Sequence, residues 1–128
     1  MFIVLCSLPS EPTFSKVDKR GRGEGELPIP PKMAIVSLVK YMLKTGVSES
    51  EYDFYDIDML LPDDDELSRY FYEHKPEIVG LSAVTSGSYT QVKRIAGIIR
   101  KSSPDTWIVL GGNLAASANV VLRKTQVD

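Results

Sequence analysis

Two loops of this sequence combine residue types that let a bulky ligand approach the protein backbone. One contains Gly111 and Gly112, directly after the apolar run WIVL, and the other is the stretch SAVTSGS, residues 82–88. Glycine loses more backbone entropy on folding than any other residue, so two in succession need a reason. A helix that begins after each loop would add free N–H groups at its N-terminus. These features predict a ligand site, and a tight strand-to-helix turn without a ligand is the alternative explanation.

The elements around these loops alternate between strand and helix patterns. Apolar or alternating runs predict strands at residues 2–6, 52–58, 77–84 and 107–110, and the approach to a further strand at 126–128. Periodicity and capping patterns predict helices at residues 30–46, 63–74, 88–101 and 114–124. This alternation is typical of βαβ units. We therefore expect an α/β fold, Rossmann-like or flavodoxin-like, with a doubly wound, mostly parallel open sheet of about five strands and helices on both faces.

Two of the predicted segments have distinctive compositions. Residues 7–31 are rich in proline, glycine and charge, and about 25 residues is far beyond the usual length of a connection, which predicts a functional or mobile loop. The following helix has Pro31 in its first turn, Lys44 in its last and Gly46 as the C-terminal cap. Its apolar residues cover most of its circumference, so we expect it to be well buried.

The overall composition excludes several classes of function. The chain of 128 residues is 43% hydrophobic with a formal net charge of −2, which indicates one globular domain and argues against nucleic-acid or membrane partners. It contains one cysteine and one histidine, so it can form no internal disulfide and can assemble neither a zinc site nor an iron–sulfur cluster from them. This cysteine usage predicts a cytoplasmic location.

Other potential sites have simpler explanations. The motif GRGEGE lacks the third glycine of a dinucleotide fingerprint and precedes no helix start. Asp63, Asp64 and Asp65 fit a helix start, with Asp63 as N-cap and Glu66 completing a capping box, better than a metal site. A phosphoacceptor receiver domain would need acidic residues after the first and third strands, where this chain has none. Cys6 is either a reactive thiol near the ligand crevice or, as we expect, a buried core residue.

In a doubly wound sheet the ligand crevice lies at the carboxyl ends of the strands, where the strand order reverses. That rule selects the loop after Cys6, the loop at residues 82–88 and the loop after the fourth strand. The helices predicted to begin at Ser88 and Leu114 would point their N–H groups into the same crevice. Asn113 is a natural N-cap for the second of these helices.

These residues resemble a known family. The stretches PPKMAIVSLVKYMLKTG, YDFYDID, KPEIVGLSAVTSG and RIAGIIRKSSPDTWIVLGGNLAASANVVLRKTQVD together look like the cobalamin-binding domain at the N-terminus of many radical S-adenosylmethionine enzymes. The resemblance runs from about Pro30 to Asp128. It implies that residues 1–128 form one cobalamin-binding-like domain, an N-terminal fragment of a longer chain.

The resemblance also implies which residues would touch the cofactor. Ser82 matches the serine of the family's S-x-L element, which lies against the nucleotide tail of the corrinoid, although Val84 stands where leucine is usual. Gly111 and Gly112 match the paired glycines that admit this tail. The implied cofactor-binding set is Ser82, Val84, Thr85, Ser86, Gly111, Gly112 and Asn113, with no catalytic or metal-binding residue in this chain.

One departure from related cobalamin proteins concerns the cobalt ligand. The D-x-H-x-x-G motif that supplies an axial histidine is absent, and residues 7–31 contain no histidine. No C-x-x-x-C-x-x-C triplet occurs either, so S-adenosylmethionine and the 4Fe–4S cluster would belong to a downstream catalytic domain. The resemblance thus implies a corrinoid-binding module that is not catalytic by itself. A degenerate, ligand-free docking or scaffold domain of the same fold is the alternative.

Overall fold

The computed structural model describes residues 1–9 and 32–128, which form one parallel sheet packed with helices. Its four strands lie in the order β2–β1–β3–β4, and every neighbouring pair is parallel. The strands are β1 Ile3–Ser7, β2 Tyr52–Asp56, β3 Ile78–Ser82 and β4 Trp107–Gly111. The helices are α1 Met33–Lys44, α2 Ile57–Leu60, α3 Asp64–His74, α4 Tyr89–Ser102 and α5 Ala118–Lys124. The predicted α/β class and parallel sheet are confirmed.

The number of strands is lower than predicted, because four rather than about five form within the described residues. Residues 126–128 nevertheless lie along the outer edge of β4. The backbone N–H of Asp128 donates to the Ile108 carbonyl at 3.0 Å, and the Asp128 carboxylate accepts from the Ile108 N–H at 2.9 Å. The side chain thus occupies a position where a neighbouring strand would supply a carbonyl group.

The reversal of strand order at β1 decides which face each helix covers. The connection from β1 to β2 runs in one direction and the connections from β2 to β3 and β3 to β4 run in the other. Right-handed crossovers therefore place α1 on one face and α3 and α4 on the opposite face. The main core lies between the sheet and the second group, and it is built from Val4, Cys6, Val79, Leu81 and Ile108 of the strands with Leu67, Phe71, Val92, Ile95 and Ile99 of the helices.

The prediction that the first helix is well buried is wrong. Within α1 only Ile35 is buried, and Met33 and Tyr41 are 62% and 67% exposed. The apolar residues around the helix cover a wider arc than the sheet can contact, so most of them face outward. Its end follows the prediction, since Lys44 lies in the last turn and Gly46 has a positive φ of 98° just beyond it.

Two helix starts show what local patterns can and cannot predict. The capping box before α3 is confirmed, because the Asp63 carboxylate accepts from the Glu66 N–H at 2.8 Å and Glu66 accepts from the Asp63 N–H at 2.9 Å. The single helix predicted at residues 114–124 is instead a 3-10 helix at Asn113–Ser117 followed by α5. No helix in the described part of the chain is long and apolar enough to span a membrane.

Candidate functional site

The last residues of the four strands form one row at the carboxyl edge of the sheet. In register, Asp56 lies beside Ser7, Ser7 beside Ser82, and Ser82 beside Gly111. Backbone hydrogen bonds continue this row, from the Leu8 N–H to the Ser82 carbonyl at 3.2 Å and from the Ala83 N–H to the Gly111 carbonyl at 3.0 Å. The structure thus brings Ser82 and the glycine pair together, as the topology predicted.

Two members of the row were not identified from the sequence. The hydroxyl of Ser7, which is almost completely buried, donates to the carboxylate of Asp56. The same carboxylate accepts from the Met59 N–H at 3.2 Å and so caps α2. Each residue ends its strand, and that position was the available indication that they share the edge with Ser82.

The two adjacent glycines have different surroundings. A Cβ atom at Gly111 would meet one heavy atom within 4 Å, the Leu81 carbonyl oxygen at 3.9 Å, which is ordinary contact. A Cβ atom at Gly112 would lie 2.3 Å from the Ala83 carbonyl oxygen, and Gly112 has a positive φ of 86°. Gly112 is therefore required by the turn itself, whereas Gly111 leaves an open surface beside Ser82.

The loop after β3 presents small and polar side chains beside this edge. Val84, Thr85 and Ser86 are all exposed, Val84 at 60%. A 3-10 helix at Ser86–Ser88 follows, in which the Ser88 N–H donates to the Thr85 carbonyl at 3.1 Å. The buried Ser88 hydroxyl donates to the Pro9 carbonyl at 3.0 Å, which ties this loop to the chain after β1.

Two expectations for the loop after β4 are wrong. Asn113 makes no side-chain capping hydrogen bond, because it is the first residue of the 3-10 helix and Gly112 occupies the capping position. The N–H of Leu114 does not point freely into the crevice, since it donates to the Ala83 carbonyl at 3.3 Å. The tight turn brings this N–H back onto the loop after β3 and joins the two loops.

Below Ser82 and Gly111, the same sheet face is apolar. The alternation of side chains places Leu5, Ile78, Gly80, Trp107 and Val109 on this face, and we call these five residues the apolar strip. Leu5 lies over Gly80, with its Cδ2 atom 3.0 Å from the Cβ position of the glycine. Trp107 is 66% exposed and Val109 49%. Leu5 is 7% exposed, so the strip continues the row at the sheet edge as an apolar surface that is open to solvent mainly along β4.

The histidine and the cysteine of this chain, which could act as a metal ligand and a nucleophile, lie away from this surface. The ring of His74 stacks on Tyr70 at a centroid distance of 4.2 Å and on Phe2 at 6.3 Å, at the amino end of β1. Its Nδ1 atom lies 2.8 Å from the Tyr70 carbonyl oxygen. Cys6 is completely buried in the core, where desolvation raises the pKa of its thiol. The interpretation of Cys6 as a core residue is confirmed.

Acidic side chains at the start of α3 are engaged in hydrogen bonds and an ion pair. Asp63 caps α3, and Asp64 pairs with Arg94 of α4 at 2.6 Å. Within residues 1–9 and 32–128, no group of three or more histidine, cysteine, aspartate or glutamate side chains is arranged to hold a metal ion.

The fold and the polar row define a doubly wound α/β domain of the flavodoxin-like type, with its open surface at the carboxyl edge of the sheet. The family model described as the B12 binding domain matches residues 32–128. The chain belongs to the B12-binding domain family, and this membership implies a corrinoid ligand. No curated protein and no solved structure matches the chain.

Proposed function

We propose that this domain binds a corrinoid at the carboxyl edge of its sheet, with the nucleotide tail passing across Gly111 beside Ser82. The observation that carries the proposal is the open surface at Gly111, directly in register with the half-buried Ser82. A side chain at position 111 would occupy this surface without disturbing the fold. The missing side chain at Gly111 is therefore better explained by the approach of a ligand than by packing within the protein.

Each candidate residue has a role in this proposal. The hydroxyl groups of Ser82 and Thr85 hydrogen-bond to polar groups of the tail, and Ser86 and Asn113 border the same opening. Val84 supplies an exposed apolar contact. Gly112 acts indirectly, because it holds the loop after β4 against Ala83. The corrinoid, when bound, supplies the cobalt chemistry, and these side chains bind and orient it.

The corrinoid would be held without a histidine from this chain on cobalt. The sequence has one histidine, and His74 lies at the amino edge of the sheet, next to Phe2. Ser82 and Gly111 end their strands at the opposite edge. A five-residue strand at about 3.3 Å per residue separates the two edges by more than an imidazole ring can reach.

We further propose that the domain works with a downstream catalytic domain of a cobalamin-type radical S-adenosylmethionine enzyme in the cytoplasm. The support is the resemblance of residues 30–128 to the domain that precedes such catalytic domains. The 4Fe–4S cluster and S-adenosylmethionine would be held there, because the single cysteine of this sequence is buried in the core.

One observation favours a second function, a ligand-free docking domain. Helix α1 exposes Met33, Leu38 and Tyr41 at 62%, 51% and 67%, and exposed apolar side chains in one region are typical of interaction surfaces. Under this alternative, the surface at Gly111 has no ligand.

Corrinoid binding by the purified protein separates the two functions. We expect hydroxocobalamin to shift its visible spectrum on binding and to stay with the protein through gel filtration. Gly111→Leu should weaken binding about tenfold or more, the equivalent of about 1.4 kcal/mol, by filling the opening. Gly97→Leu is the matched control, because a Cβ atom at Gly97 in α4 meets nothing within 4 Å, and one at Gly111 meets a single atom at 3.9 Å.

Circular dichroism should give the same spectrum for both variants and the original protein. Absence of binding by the original protein contradicts the proposed function and leaves the docking alternative. Equal binding by the two leucine variants contradicts the placement of the tail at Gly111.

A further inference from the structure

A stack of aromatic rings connects β2 with α3, away from the carboxyl edge of the sheet. The ring of Tyr70 lies at a centroid distance of 4.3 Å from Tyr55 and 4.2 Å from His74, and it meets the ring of Phe71 edge-on at 5.3 Å. Tyr55 is also the neighbour of the buried Cys6 in the register of the sheet. The stack therefore runs from the interior of the sheet to the exposed ring of His74, with Tyr70 at its centre.

Tyr70 has a proton acceptor within hydrogen-bond distance. Its hydroxyl donates to the carboxylate of Asp53 at 2.5 Å, a distance typical of a hydrogen bond to an ionised oxygen. A base at this distance can receive the proton directly. Burial, together with this hydrogen bond, raises the pKa of Tyr70, so the phenol keeps its proton through the physiological pH range. Loss of an electron alone would leave a cation in a half-buried position, which is costly unless the proton leaves at the same time.

Tyr72, two residues further along α3, has the opposite electrostatic surroundings. The Lys75 ammonium group lies 5.5 Å from the centroid of its ring. Because this cation is attracted to the π electrons of the ring, it opposes the removal of one of them. The two tyrosines of one helix therefore differ in the charge that faces them, an anion at Tyr70 and a cation at Tyr72.

We propose that Tyr70 and Asp53 form a redox-active tyrosine site that gives one electron to an outer-sphere oxidant such as the carbonate radical. The oxidant takes the electron and becomes carbonate, while the phenolic O–H bond breaks and Asp53 takes the proton. The products in the protein are a neutral tyrosyl radical and a protonated carboxyl group. A one-electron reductant such as ascorbate reverses the step, because Asp53 then returns its proton to the phenolic oxygen. This step needs no corrinoid.

Oxidation of the purified protein by pre-formed ruthenium(III) tris-bipyridine, which accepts one electron, tests this site. Rapid mixing and freezing, followed by electron paramagnetic resonance, measures the yield and the rate of formation of the tyrosyl radical. We expect Tyr70→Phe, which keeps the ring in the stack, to lower the yield severalfold. Tyr72→Phe in the same helix is the matched control and should retain most of the signal. Circular dichroism should show that both variants fold.

A second pair of variants tests the path of the proton. Asp53→Asn preserves the shape of the side chain, but an amide does not take up the proton, which must pass to water or buffer instead. We expect the radical to form about tenfold more slowly or less, at a rate that rises with the concentration of buffer base. The rate of the original protein should not depend on the buffer. Asp65→Asn is the matched control, because it removes the same charge from an exposed position at the start of α3.

Each contrary outcome identifies the part of the inference that fails. Absence of a tyrosyl radical in the original protein overturns the site, as does an equal loss of yield in the two phenylalanine variants. A buffer dependence that the original protein shares with Asp53→Asn overturns the role of Asp53 as the proton acceptor. An equal decrease in rate for Asp65→Asn would assign the effect to net charge and overturn that role as well. Because no corrinoid is present in these measurements, their outcome is independent of the proposed function.

Discussion

Gly112 and Ala83 lie so close together that no side chain fits between them. A Cβ atom at Gly112 would lie 2.3 Å from the Ala83 carbonyl oxygen, and that oxygen also accepts the hydrogen bond from the Leu114 N–H. The contact joins the end of β4 to the chain after β3. It therefore holds together the two loops that carry the candidate ligand residues.

Substitution of Gly112 should destabilise the fold, and substitution of its neighbour should not. Gly112→Ala combines a clash with backbone with a φ of 86° that only glycine adopts readily, so we expect a loss of about 2 kcal/mol or more in unfolding free energy. Gly111→Ala should change it by less than about 1 kcal/mol. Urea unfolding of both variants measures the difference, and equal stabilities would contradict this account of the turn.

His74→Ala should leave the visible spectrum of bound hydroxocobalamin unchanged. The imidazole stacks against Phe2 and Tyr70 at the amino edge of the sheet, so it does not reach a ligand at the carboxyl edge. Absorbance spectra of the two complexes at equal saturation test this expectation. A changed spectrum for the variant would place His74 near cobalt and contradict the position of the site.

Asp63→Ala should destabilise the protein by about 1 kcal/mol, because it removes the N-cap of α3 and leaves the Glu66 N–H without its partner. Asp63→Asn should cost clearly less, since asparagine also caps well. Thermal unfolding followed by circular dichroism gives both values. If asparagine costs as much as alanine, a role of the charge, rather than of the cap, would explain the loss.

The buried thiol of Cys6 should make the protein less stable at alkaline pH. Desolvation, with a smaller contribution from the charge of Asp53, raises the pKa of Cys6 in the folded protein, whereas the unfolded thiol ionises near its ordinary value of about 8.5. A raised folded pKa gives stability that is present below about pH 8.5 and is lost as the pH rises above it. This one group should contribute a decrease of about 1.4 kcal/mol per pH unit.

Cys6→Ala provides the control for this pH dependence. Its unfolding free energy should fall less steeply than that of the original protein between about pH 8.5 and 10. Tyr55, whose pKa burial raises to about 12, contributes in the same direction only above about pH 10, where the unfolded phenol ionises. Parallel curves for the two proteins would show that the thiol does not carry the effect.

Much of the fold was predictable because it depends on local patterns. Apolar runs such as residues 2–6 form strands wherever both faces of a sheet are covered, and the Asp63–Glu66 capping box starts α3 where it was expected. The exposure of α1 was not predictable. Its apolar side chains extend around the helix, and only the placement of the sheet decides that Ile35 alone is buried.

The candidate site was predictable in position but not in detail. Strand-end residues of a parallel sheet share one edge, so the meeting of Ser82 with Gly111 follows from the order of the elements. The partnership of Ser7 with Asp56 depends on a register between strands 49 residues apart. Asn113 does not cap a helix, because the 3-10 helix begins at Asn113 itself, one residue earlier than the sequence pattern indicated.

The amino-acid sequence by itself determined the alternating elements, the family resemblance and the edge at which Ser82 and Gly111 meet, because these depend on local residue order and on the handedness of the chain. The tertiary structure alone decided that Gly112 serves the turn while Gly111 stays open. It also decided that the surface beyond them is apolar. The physical reason is that two residues of the same type, adjacent in the sequence, have different neighbours once strands distant in the sequence are paired.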